Sequence, residues 1–193
     1  MVSESPSKTR ERAVVLVEGL SDRIALETLA TRRGRDLDAE GVSVVPIGGA
    51  QAIGRVLANH AANGRETTLA GLCDVGEEDV FRRSLERAGF GSGLSRADME
   101  RLGFYVCVVD LEDELIRALG PDRVQAVLEA HGDLRPFHTF QKQPAWHGRP
   151  VAGQLRRFMG SADRRKLRYA RLLVEALDLT EIPRPLDGVL EHV

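Results

Sequence analysis

Acidic side chains recur in this sequence where apolar runs end. Glu18 closes AVVLVE (13–18), Asp74 follows TTLAGLC (67–73) and Asp110 follows GFYVCVV (103–109). A further acid stands close behind each: Asp22 four residues after Glu18, Glu77 three after Asp74, and Glu112 two after Asp110. Carboxylates brought this close repel one another, and the ordinary remedy is a bound divalent cation. Oxygen ligation suits Mg2+ or Mn2+, which retain several waters and take remaining ligands from a phosphate. Taken singly, Asp22, Glu77 and Glu112 also read as first-turn acids that complement a helix dipole. Glu18 has fewer structural explanations, because a carboxylate at the end of a buried strand is costly to leave unpartnered. The repetition over three strand ends is what favours metal.

A second cluster has the opposite sign. From Arg149 to Arg171 the chain holds eight Arg or Lys residues against the single acid Asp163. Arg156, Arg157, Arg164, Arg165 and Arg168 are candidates to hold a phosphate backbone without reading sequence. The competing reading is a solvated helix face, since Arg164, Arg168 and Arg171 recur at helical spacing and Glu175 can pair with Arg171.

The elements that position these residues follow from apolar patterning. Continuous apolar runs at 13–18, 42–47, 67–73 and 103–109 read as strands buried on both faces, as in a parallel sheet. Helical spacing follows each of them: after Ser21, read as an N-cap, then near 51–62, 78–88 and 113–119. A short helix is expected between Gly89 and the fourth strand. Strand–helix alternation implies right-handed βαβ units, hence a mostly parallel four-stranded sheet flanked by helices. In such a sheet ligands bind beyond the carboxyl ends of the strands, where Glu18, Asp74 and Asp110 would meet. The second strand ends instead in Gly48-Gly49. Tight-turn geometry explains that pair simply, while backbone N–H groups turned toward a phosphate are the alternative.

Beyond Gly120 the pattern changes. Pro121 starts another helix. Residues 132–150, with glycines 132 and 148 and prolines 136, 144 and 150, show little periodicity and read as a loop or linker. Phe140 and Trp146 lie in it, suited either to stacking on bases or to pinning the loop. From 151 to 193 the chain reads as a basic helical extension, packed on the α/β core of residues 1–131.

Composition excludes several classes. Of the 193 residues, 42% are hydrophobic, enough for a buried core, and the net charge of −2 favours no partner by itself. No apolar run approaches the roughly 20 residues that span a bilayer. The first dozen residues are polar and carry no secretion-signal pattern, so a cytoplasmic protein is expected. Cys73 and Cys107 cannot build a disulfide framework, and no spacing suits structural zinc; both read as buried thiols.

With VEGLSDRIALETLA, LCDVGEED and VVDLEDELIRALG in that order, the chain resembles the TOPRIM domain of the OLD (overcoming lysogenization defect) nuclease family, over about residues 12–178. The resemblance implies a TOPRIM, Rossmann-like α/β fold and a relation to topoisomerase and primase domains. It also implies divalent-metal cutting of nucleic acid. By position, Glu18 and Asp22 match the first acidic pair, Asp74 the first aspartate of the family's DxD, and Glu112 the later glutamate. Lys166 is the candidate for the lysine that follows. The second aspartate of DxD is replaced by Gly76, with Glu77 or Glu78 as stand-ins or one metal position weakened. Family members carry an ATPase domain ahead of the TOPRIM part. This chain has no GxxxxGK[ST] motif and looks like a stand-alone form, so a separate ATPase partner is implied if ATP is used.

The expected chemistry is therefore metal-assisted phosphodiester hydrolysis or nicking. Glu18, Asp22, Asp74 and Glu112 would be ligands, Glu77 auxiliary, and Lys166 would neutralise transition-state charge. DNA is preferred to RNA as partner, and an oligomer is possible. The alternatives are a non-catalytic metal- and nucleic-acid- or nucleotide-binding module, or a subunit that works only beside an ATPase.

Overall fold

The computed structural model describes residues 11–62 and 67–193; the expectation drawn from the polar N-terminus falls mainly on residues 1–10, outside the described residues. Four strands, β1 (Ala13–Val17), β2 (Val42–Pro46), β3 (Thr68–Asp74) and β4 (Phe104–Cys107), form one sheet in the order β2-β1-β3-β4. Every pairing is parallel, so the sheet is the doubly covered α/β kind that the continuous apolar runs predict. Along β1, Ala13, Val15 and Val17 face one core, while Leu16 and Val14 face the other. That alternation explains why the run lacks a polar face.

One face carries α2 (Ile53–Ala62), α3 (Glu78–Arg87) and the short α4 (Arg96–Arg101), whose Ile53, Leu57, Phe81, Leu85 and Met99 join Leu16 and Phe104. The other face carries α1 (Leu20–Arg32), α5 (Leu111–Leu119) and α6 (Pro121–Ala130). It continues through α7 (Leu134–Gln141), α8 (Val151–Met159), α9 (Asp163–Ala176) and α10 (Arg184–His192). Leu155, Tyr169, Leu173 and Leu186 lie in the same buried cluster as Val15 and Leu26, so one core runs from the sheet into the C-terminal helices. The two thiols are buried in opposite cores, Cys73 in one and Cys107 in the other.

Residues 132–150 depart from the loop expected there, because 134–141 are helical. Pro136 falls in the first turn, where the backbone N–H has no intrahelical acceptor, so it does not break the helix. Phe137 is fully buried and Leu134 and Phe140 pack beside it, an apolar face too short to register as periodicity.

Two features of packing set the site. Leu16, Gly71 and Phe104 are neighbours in register across three strands. A Cβ on Gly71 would lie 2.7 Å from the Phe104 ring and 3.1 Å from the Leu16 carbonyl oxygen, so only glycine lets that ring lie over the central strand. Helices α1 and α9 run side by side, with Arg32 donating to the carbonyls of Val174 (2.8 Å) and Leu177 (2.9 Å) near their C-terminal ends. The opposite ends of both helices therefore meet, at Asp22 and Lys166.

Candidate metal centre

The carboxyl ends of β1 and β3 are tied by a side chain. Register pairs Val17 with Leu72, which sets Glu18 beside the Asp74 peptide, and Glu18 Oε1 accepts from the Asp74 N–H at 3.0 Å. Helix α1 begins one residue before Ser21: Gly19 is its N-cap, and Asp22 Oδ2 accepts from the Gly19 N–H at 2.8 Å. Asp22 is thus a first-turn acid of α1 and closes the helix N-terminus. It is also 9% exposed and lines a cavity of about 230 Å³.

That cavity is bounded by Glu18, Asp22, Asp74, Glu112 and Lys166, with Gly19, Ser21, Gly49 and Leu111 completing its wall. Four acids far apart in sequence therefore share one opening with one lysine. The N-terminal turns of α1, α5 and α9 supply Asp22, Glu112 and Lys166, and their partial positive charge favours anions. Gly48 and Gly49 take φ of 74° and 106°, the left-handed turn that glycine permits, and the Gly49 N–H donates to the Glu18 carbonyl at 3.2 Å.

Electrostatics mark the cavity as strained while it holds only Lys166 as a counter-charge. Burial, then the charges of Glu18, Asp22 and Asp110, push Asp74 up to about 8 against the pull of Lys166. Burial is also the main cause that raises Asp22 to about 6, with Glu112 and Glu18 adding to it and the Gly19 N–H and Lys166 opposing. Glu18 is raised by burial and by Glu77, partly offset by its bond from Asp74. For Lys166, burial alone would depress the ammonium; the carboxylates of Glu112, Asp22 and Asp74 outweigh it and hold the group above its ordinary value.

Glu112 bears most directly on whether these donors fit a cation. It is 7% exposed, and its Oε1 is buried with no hydrogen bond. Lys166 Nζ stands 3.4 Å away, close enough for ion pairing but without hydrogen-bond geometry. A spare buried carboxylate oxygen among oxygen donors fits a hard divalent cation in chemistry. Among the described residues, however, no three such side chains stand close enough together to form a finished cation cage. The donors suit a cation, and the cage is open.

Other candidates lie elsewhere. Glu77 ends the turn Val75–Glu77 that leads from Asp74 into α3, which carries it out of the cavity wall; it acts on Glu18 through charge. Glu78 is paired with Arg96 and is not free to replace the missing aspartate at Gly76. Asp110 does not join the other strand-end acids: β4 stops at Cys107, and Asp110 caps α5 by accepting from the Asp113 N–H at 2.8 Å. Its other oxygen accepts from Arg156 Nε at 2.6 Å.

The arginines divide in the same way. Arg156 is held by Asp110, Arg168 by Asp133 (3.2 Å), and Arg165 donates to Ser161 Oγ (2.8 Å) and lies over the Phe158 ring. Arg171 pairs with Glu175 at 3.4 Å, as its spacing suggests. Arg157 and Arg164 are exposed, with no ion pair among the described residues. Sequence reading missed Ser21 as a buried wall of the cavity, having read it as a cap, and it missed the Arg156–Asp110 clamp. Only its proximity to Asp22 could have signalled Ser21; nothing in the sequence signals a pair separated by 46 residues.

Comparison with known proteins bears on the fold and on the first part of the sequence. Residues 11–68, which include Glu18 and Asp22, match the family described as overcoming lysogenization defect protein-like, TOPRIM domain. The fold is similar to the C-terminal region of the Xanthomonas campestris pv. campestris OLD protein, with TM-score 0.68 and 23% identity over 94% of this chain and 93% of that one. It is equally similar to the C-terminal region of the Burkholderia pseudomallei OLD protein, with TM-score 0.68 and 20% identity over 94% and 96%. At such identities the likeness is one of fold. No curated protein matches the chain. Among the described residues no helix is long and apolar enough to cross a membrane.

Proposed function

We propose that this chain, which matches the OLD-like TOPRIM domain over residues 11–68 and is similar in fold to OLD C-terminal regions over 94% of its length, is a divalent-metal-dependent hydrolase or nickase of nucleic acid phosphodiesters. The observation that carries the reading is the shared cavity of Glu18, Asp22, Asp74, Glu112 and Lys166, in which Glu112 Oε1 is buried with an ion pair to Lys166 and no hydrogen bond.

Glu18, Asp22, Asp74 and Glu112 would hold Mg2+ or Mn2+. Bound there, the ion would supply an activated water and charge neutralisation at the leaving oxygen. Lys166 keeps its proton and neutralises charge that builds on the phosphoryl oxygens. The Asp22–Gly19 and Glu18–Asp74 hydrogen bonds hold two of the acids in place before substrate arrives. Arg157 and Arg164 are available to the flanking backbone, which is DNA in preference to RNA.

Supercoiled plasmid and single-stranded substrates incubated with Mg2+ or Mn2+ test the reading. Cutting is expected, with a loss of at least about a hundredfold in Asp74→Ala and in Glu18→Gln. Cutting that survives both substitutions belongs to a contaminant and ends the proposal.

One observation favours a second reading. Gly76 stands where the family pattern has an aspartate and supplies no ligand, as expected of a module that binds metal and nucleic acid without turnover. Salt-sensitive binding with no cutting under any metal would select it. Activity restored by adding a separate ATPase would instead assign the chain to a two-component nuclease.

A further inference from the structure

Beside the acidic cavity lies a second concavity, of about 520 Å³, built from different chemistry. Phe140, Trp146 and Phe158 line it together with Arg157, Arg165 and Gln143, and no acid contributes to its wall. Its rings are fixed in a pile: Phe140 stacks on Trp146 with centroids 5.4 Å apart, and Phe158 lies 5.7 Å from Phe140 and 5.3 Å from Phe137. Phe137 is fully buried, so the pile is anchored in the core, whereas Phe140 and Trp146 are only half-buried. The aromatics therefore do pin this segment; the half-buried Trp146 ring is stacked by Phe140, and the exposed Arg149 guanidinium lies over it, 5.5 Å from its centroid, a solvated group that a stacking base would displace. Rings already immobilised lose little further freedom when a planar ligand stacks on them.

The groove is placed next to the acidic cavity by consecutive residues. On α9, Arg165 lines the groove and Lys166 lines the cavity. On α8, Arg156 is clamped to Asp110 at the N-cap of α5, while Arg157 lines the groove. Neighbouring helical residues point about 100° apart, so the two sites lie on adjoining sides of α9.

We propose that this groove takes an unpaired base of a single-stranded nucleic acid, stacked at Trp146 and Phe140, with the adjoining phosphate on Arg157, while Arg165, held over the Phe158 ring and by Ser161, adds positive charge to the wall. The inference rests on the nucleic-acid reading above and narrows its substrate to strands that are single or locally opened. Stacking requires an exposed π-face, which a duplex hides, and sequence-tolerant stacking beside a positive groove is the usual chemistry of single-strand sites.

Trp146 is the sole tryptophan, so its emission reports on the groove directly. The full chain in EDTA is titrated with an oligothymidylate of about ten nucleotides, an abasic deoxyribose-phosphate oligomer of equal length, and a blunt duplex. Saturable quenching by thymidylate, and none by the abasic strand or duplex, is expected. Arg157→Ala, at an exposed position, should weaken that quenching titration about tenfold, and Trp146→Ala should do the same to anisotropy of labelled thymidylate. Thymidylate that fails to bind, binds without quenching, or quenches no better than the abasic strand overturns the proposal. Plasmid nicking by a protein whose Trp146 stays unquenched removes the groove and leaves the hydrolase reading standing. Quenching without cutting under any metal does the reverse.

Discussion

Raising the pH of the metal-free protein forces ionisation of carboxyls that the fold prefers to keep protonated. Asp22 is held at about 6 and Asp74 at about 8, against an ordinary value of 3.8 for each. An acid raised on folding binds its proton more tightly in the native state, so its contribution is complete below the unfolded value and disappears as pH climbs through the folded one. Stability should therefore fall between about pH 4 and about pH 6 for Asp22, and on toward about pH 8 for Asp74. Full ionisation of Asp22 corresponds to about 3 kcal/mol. Asp74 is partly exposed to solvent, so its nominally larger shift is discounted to roughly 2 kcal/mol. A chain of this length loses about 2–4 °C of Tm per kcal/mol, which makes the combined fall about 10–20 °C. Thermal melts in EDTA from about pH 5 to about pH 9, repeated with saturating Mg2+ or Mn2+, measure it. A cation that bridges the acids should restore most of the loss at the alkaline end and little at the acid end. In Asp74→Asn the part of the fall above about pH 6 should vanish. A flat Tm in EDTA, or a metal shift of equal size at both ends of the range, would refute the reasoning.

Two substitutions probe the architecture around the site. Gly76→Asp restores a carboxylate two residues after Asp74; a Cβ there meets nothing within 4 Å and its φ is ordinary, so the fold should tolerate it. Calorimetric titration should show tighter Mg2+ or Mn2+ binding by about tenfold, or a second ion, and unchanged binding would mean that position 76 does not face the cavity. Gly71→Ala drives a methyl against the Phe104 ring and should cost about 1–3 kcal/mol in denaturant melts, with loss of cation binding only as far as the β1–β3 ends are disturbed.

The sheet was legible because its strands are covered on both faces. AVVLV and TLAGLC have no polar face, and that pattern arises from burial, so the strands follow from local composition, while parallel pairing, and with it a shared rim for Glu18 and Asp74, follows from strand–helix alternation. Helix α7 was hidden because its apolar face spans only Leu134, Phe137 and Phe140 and its proline sits where a helix tolerates one. Asp110 illustrates the limit for the site. Its position after an apolar run is the same in sequence as that of Asp74, yet two residues stand between it and the end of β4, and it pairs with Arg156 from α8 and reaches Asp74 only through charge. Glu77 and Glu78 are likewise equivalent as letters, and only the turn after β3 and the partner Arg96 separate their roles.

Residue type and spacing determined on their own that acids would gather at the carboxyl end of a parallel sheet, because strand ends are set by short-range hydrophobic pattern. Which acids share the cavity, which arginines are already occupied, and that Lys166 reaches Glu112 across 54 residues were decided by tertiary packing. Packing decides these because a side chain's partner depends on how whole helices lie against one another, as α1 does along α9, and no local window of sequence contains that information.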